Sequence, residues 1–125
     1  MKTIKSENAP LAIGPYSQAI DTGSLLFCSG QIPLDPVTMK LMEGGIDLQA
    51  QQVFANITSV LKAAGLELCD VVKTTVFMAD LNDFAVMNAV YQKNFGEHKP
   101  ARSTVQVARL PLGALLEIEC IAIHR

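Results

Sequence analysis

Two charged residues interrupt strand-like sequence late in the chain. Arg102 follows Pro100-Ala101 at the start of one predicted strand, and Glu117 stands among apolar neighbours in the next. A guanidinium offers a planar fork of donors that suits a carboxylate ligand, and a carboxylate nearby can orient or deprotonate a water. If the two strands pair antiparallel through a turn at Pro111 to Ala114, residues whose numbers sum to about 219 face each other, and 102 and 117 do. The same register also allows the commoner outcome, a structural cross-strand ion pair. Glu119, one step along the same strand face, reads as a second acid or, more ordinarily, as a solvated edge charge.

Two further segments have the residue types of a binding cleft. Gly14-Pro15-Tyr16-Ser17-Gln18 joins a permissive glycine, a rigid proline and an amphipathic tyrosine, as a pocket rim would, or as a plain tight turn would. Ser29-Gly30-Gln31 breaks an apolar strand, where glycine permits a bulge or the close approach of a ligand or another chain. Lys73, inside an apolar strand, suits a salt bridge better than a Schiff base. His98 and His124 are the only histidines, and neither has zinc-motif spacing or an obvious place in a Ser-His-Asp arrangement. No dinucleotide or phosphate-loop glycine motif is present, and Gly44-Gly45 reads as a turn before a helix.

These residues need positioning elements. Ala50, Phe54, Ile57, Leu61 and Ala64 recur at helical spacing after Asp47, the expected N-cap, and Gly65 is the expected C′ residue. A second helix follows Asn82 or Asp83, with Phe84, Met87, Tyr91 and Phe95 on one stripe before Gly96 and Lys99-Pro100. Runs rich in Val, Ile, Phe and Thr predict strands at 25–32, 71–79, 102–108 and 115–123, with another near 3–6. The order predicts an α+β fold: one mixed sheet with both helices packed on the same face, in a single domain spanning 1–125. In the last strand, Leu116, Ile118, Cys120 and Ala122 form one face; Leu115, Glu117, Glu119, Ile121 and Ile123 form the other. Both faces are partly apolar, so a symmetric homo-oligomer is expected to cover the one the helices leave bare.

Composition narrows the function classes. Half of the residues are hydrophobic, only 18% are charged, and the mean hydropathy is +0.28, a balance that again suggests subunit contacts. The net charge of -2 and the scattering of the ten Lys and Arg argue against nucleic acid as a partner. Cys28, Cys69 and Cys120 form an odd set without a C-x-x-C pair, read as reduced core thiols. With no apolar run long enough to span a bilayer and no signal-like N-terminus, a cytoplasmic protein away from membranes is expected.

Taken together, Gly14-Pro15-Tyr16-Ser17-Gln18-Ala19, Ser29-Gly30-Gln31-Ile32-Pro33, Pro100-Ala101-Arg102-Ser103 and Leu116-Glu117-Ile118-Glu119 resemble the Rid family of reactive intermediate deaminases, also called the YjgF family. The resemblance runs nearly end to end. It implies a chorismate-mutase-like fold and a homotrimer whose sheets form a central barrel with clefts between subunits. It also implies that Arg102 holds a substrate carboxylate, that Glu117 positions the attacking water, and that Tyr16, Ser29 and the Gly30 backbone complete the cleft. The reaction it implies is hydrolysis of 2-aminoacrylate and related 2-imino acids to 2-keto acids and ammonia, with no metal or organic cofactor. Thr104 stands where many members carry Cys; turnover is expected to survive if that substrate-binding position acts through its backbone. Other readings are a non-catalytic module that binds small carboxylates, the ribonuclease or translation-inhibiting activity attributed to some relatives, and chorismate mutase on fold alone.

Overall fold

The structure, a computed structural model, describes residues 1–125. β1 (Lys2–Ile4), β2 (Ala19–Asp21) and β3 (Leu25–Gln31) form an antiparallel meander. Then come α1 (Ile46–Ala63), β4 (Val71–Met78), α2 (Phe84–Phe95), β5 (Ala101–Gln106) and β6 (Leu116–Ile123). All six strands join one mixed sheet in the order β1-β2-β3-β6-β4-β5. β4 and β5 pair parallel, which a tight turn cannot do, so α2 makes the crossover. β6 lies between β3 and β4 and runs antiparallel to both.

This topology corrects the expected hairpin of the last two strands. β5 and β6 do run in opposite directions, but β4 separates them: Arg102 pairs with Thr74, and Glu117 with Phe77. Composition explains the exchange. β5 reads Ala-Arg-Ser-Thr-Val-Gln, a polar strand fit for a sheet edge, whereas β6 contributes fully buried Leu116, Ile118 and Ala122 and takes a central place. The sequence reading also missed β2, whose three residues are too few to show an alternation.

The helices form for local reasons. α1 starts two residues earlier than expected: Gly45 is its N-cap, and Asp47 caps nothing but lies in the first turn, where its charge complements the helix dipole. At the other end Gly65 takes φ +75°, and the amides of Gly65 and Leu66 return to the carbonyls of Lys62 and Leu61. That is a Schellman stop, which needs the left-handed residue glycine supplies. α2 buries Met87, Tyr91 and Phe95. The rings of Phe54, Tyr91 and Phe95 meet with centroids 4.7 to 5.7 Å apart, mostly edge to face.

One core of 24 buried residues joins both helices to a single face of the sheet. Cys28 and Cys120 belong to it as opposed residues on β3 and β6, while Cys69 is exposed in the turn before β4 and so departs from the expected core thiols. The other sheet face has no helix. Phe27, Val105 and Ile123 are 44%, 42% and 39% exposed there, beside half-buried Leu25, Phe77 and Ile121. No helix is long and apolar enough to cross a membrane.

Candidate active site

Glu117 follows Leu116 on β6, so strand alternation turns its side chain away from the helices. It enters a cleft of about 350 Å³ lined by Tyr16, Gly30, Leu11, Ile13 and Leu112 among others. The β3 register slips between Cys28 and Gln31, and this bulge brings the Gly30 backbone against the Glu117 side chain. A methyl group on Gly30 would collide with the Glu117 carboxylate, so a larger residue there would have to push the Glu117 side chain aside. Burial raises the Glu117 carboxyl above the usual carboxylate range, and the charge of Glu119 adds to the rise.

The loop before β2 is held by buried Gln18, which accepts from the Ser6 amide at 2.6 Å and donates to the Ser6 and Pro10 carbonyls at 3.1 and 2.8 Å. Tyr16 is half-exposed on the rim, its hydroxyl accepting from the Ile13 amide at 3.2 Å. Ser29 is not part of the cleft lining in one chain. Its hydroxyl donates to the Ser17 carbonyl at 2.6 Å and ties the loop to β3.

Arg102 lies elsewhere. Its pairing with buried Thr74 places it on the helix-covered side of edge strand β5. The guanidinium donates to Asn88 Oδ1 at 2.7 Å and sits 4.6 Å from the Tyr91 ring centroid and 5.5 Å from that of Phe84. No acidic side chain pairs with it; the two ion pairs are His124–Asp21 and Arg125–Asp70. Tyr91 is fixed from behind by a 2.7 Å bond to Thr74. Burial raises its phenol pKa, which the Thr74 bond and the Arg102 charge partly offset. Arg102 borders a second cleft of about 460 Å³ whose lining includes His98 and Lys99 but no carboxylate. Thr104, two residues along the same face, buries its hydroxyl oxygen without a hydrogen-bond partner.

Within one chain, then, Tyr16, Gly30 and Glu117 are brought together, and Arg102 and Thr104 are not among them. Two strand spacings across and three residues along place Arg102 and Glu117 roughly 14 Å apart at the backbone, on opposite faces of the sheet. The structural ion pair does not exist. Lys73 forms no salt bridge either; its ammonium donates to Ser103 Oγ at 3.0 Å across the parallel strands. His98 bonds the Val71 carbonyl at 2.6 Å. No group of three His, Cys, Asp or Glu side chains gathers as a metal site would. The sequence reading missed the Arg102 cradle, although Phe84, Asn88 and Tyr91 fall at i, i+4 and i+7 on α2, a spacing that puts them on one face.

These features define a class: small α+β proteins with a mixed sheet, one helical layer, a glutamate under a glycine bulge and an edge-strand arginine free of acidic partners. The family model described as Endoribonuclease L-PSP matches residues 6–124, and the chain belongs to that family, the Rid or YjgF family its motifs resemble. A Salmonella typhimurium protein named 2-iminobutanoate/2-iminopropanoate deaminase is 54% identical over 99% of this chain and 98% of its own. The solved structure of RidA from an Antarctic Psychrobacter is 49% identical, with a TM-score of 0.96 over 99% of this chain and 100% of that one. Escherichia coli TdcF, solved with bound serine, is 48% identical, with a TM-score of 0.96 and full coverage of both chains.

Proposed function

We propose that this chain, a single domain over 1–125, is a cytoplasmic, cofactor-independent hydrolase that converts 2-aminoacrylate and related enamine or 2-imino acids to 2-keto acids and ammonia. The observation that carries this reading is the near full-length identity with a relative named as such a deaminase, in a chain that keeps an unpaired Arg102 and a cleft holding Glu117. Each half has a task. Arg102 anchors the substrate carboxylate through its free N–H groups, which fixes the adjacent C2=N carbon. Glu117 takes a proton from the water attacking that carbon and delivers it to nitrogen, which gives a carbinolamine; the hydroxyl proton then passes through Glu117 to the amine nitrogen, and the C–N bond breaks as the C=O bond forms, releasing ammonia and the keto acid.

One chain cannot assemble both halves around a three- or four-carbon substrate. We infer a homotrimer whose open sheet faces meet as a barrel, so that Arg102 of one subunit reaches the Tyr16–Gly30–Glu117 cleft of the next. The exposed Phe27, Val105 and Ile123 support burial of that face. Ser29 and Thr104 complete the substrate-binding set in this arrangement.

The test generates 2-imino acids with an amino acid oxidase and traps them with semicarbazide. The wild-type protein is expected to lower semicarbazone formation, and Arg102→Ala to lose this activity by roughly a hundredfold or more. Equal trapping with and without protein overturns the deaminase and favours a module that binds small carboxylates without turnover. The family description favours one second reading, endoribonuclease activity. The net charge of -2 and the scattered basic residues weigh against it. RNA cleavage that survives repurification and vanishes in Arg102→Ala would establish it at this cleft.

A further inference from the structure

Arg102 is held only by neutral groups. Of its five N–H donors, one is engaged by the Asn88 carboxamide oxygen at 2.7 Å, and the faces of Tyr91 and Phe84 flank the rest. Asn88 is half-buried on α2, one turn after Phe84 and just under one turn before Tyr91, so one helix face supplies the whole cradle. An aspartate would occupy the same space and accept the same bond with a stronger, charge-assisted interaction. It would also neutralise the guanidinium before any substrate arrived. The cradle therefore positions the fork without spending its charge.

The geometry points to Asn88 as a positioning residue whose neutrality keeps Arg102 available to a carboxylate ligand. This rests on the deaminase reading for the identity of the substrate, but not for the anion preference itself. Aromatic faces fit the same logic, since a ring quadrupole attracts the cation while leaving its N–H edge unsatisfied.

The test compares Asn88→Asp with Asn88→Ala in the intact protein, using calorimetric binding of 2-oxobutanoate, a stable carboxylate of the product class, beside imine turnover. Asn88→Asp is expected to weaken 2-oxobutanoate binding and raise KM by about tenfold or more, with kcat within about twofold and thermal stability unchanged. Asn88→Ala, which loses the bond but adds no charge, is expected to bind better than Asn88→Asp. A merely structural role would give the opposite ranking, because Asp preserves shape and bond while Ala removes both. Wild-type affinity in Asn88→Asp, or weaker binding by Asn88→Ala than by Asn88→Asp, overturns the proposal. If the wild type binds 2-oxobutanoate yet hydrolyses no imine, the deaminase reading falls while the binding ranking still decides the role of Asn88.

Discussion

The two faces of the sheet share their strands but not their chemistry. On β6 the residues facing the helices are Leu116, Ile118, Cys120 and Ala122, all buried; those facing the other way include Glu117, Glu119, Ile121 and Ile123. The helix-covered face is closed within one chain by α1 and α2. The open face holds aromatic and aliphatic side chains in water together with carboxylates, a state that suits contact with another copy better than permanent exposure. Stability is concentrated on the first face, and the proposed assembly and half of the proposed chemistry on the second. Arg102 is the exception: it lies on the helix-covered side of the edge strand, in the α2 cradle, away from the Glu117 cleft of its own chain.

A pair of phenylalanines tests that division most strongly. Phe54, 1% exposed on α1 where it packs against Tyr91 and Phe95 of α2, is expected to cost about 3–5 kcal/mol when changed to Ala, read as a lowered denaturant midpoint. Phe27→Asp on the open face should leave the far-ultraviolet circular dichroism intact while sedimentation reports a smaller particle than wild type. Unchanged mass in Phe27→Asp would remove the open face from any subunit contact.

Gly30→Ala sharpens the comparison at the point where strand geometry meets chemistry. The added methyl group must displace the flexible Glu117 side chain rather than the backbone, so stability should change by less than about 1 kcal/mol while turnover falls about tenfold or more. Loss of stability matching the loss of rate would mean that Gly30 is needed for the fold and not for placing the carboxylate.

The smallest effect is electrostatic. Burial, and secondarily Glu119, raises the Glu117 pKa, so the acid limb of the pH–rate profile should sit above the ordinary carboxylate range, and Glu119→Gln should move it down. The linkage has a definite sign. A carboxyl whose folded pKa is raised binds its proton more tightly when folded; stability from it is present below the unfolded pKa and declines as pH rises through the folded one. Glu119→Gln should narrow that window. An acid limb that does not move would show that Glu119 does not act on Glu117.

The parts legible in the sequence were those with local causes. The apolar stripes of α1 and α2 follow from 3.6-residue spacing, Gly65 from the left-handed residue a Schellman stop requires, and the Ser29-Gly30 bulge from a glycine inside an apolar strand. The motifs around Tyr16, Gly30, Arg102 and Glu117 also specified the family. Where a signal was short or shared, the reading slipped: β2 has three residues, and Asp47 is as good in a first turn as at an N-cap.

Strand order was beyond the sequence, and with it the meaning of Arg102 and Glu117. An arginine and a glutamate in successive strands are consistent with a hairpin ion pair, and no local feature forbids it. Only the tertiary structure seats β4 between those strands, because burying β6 on the helix-covered side stabilises the fold more than pairing it with the polar edge strand β5 would. That choice parts the two charges and leaves the guanidinium to the neutral cradle on α2. Residue types determined what chemistry was available; pairing between segments distant in sequence decided where each part of it stands.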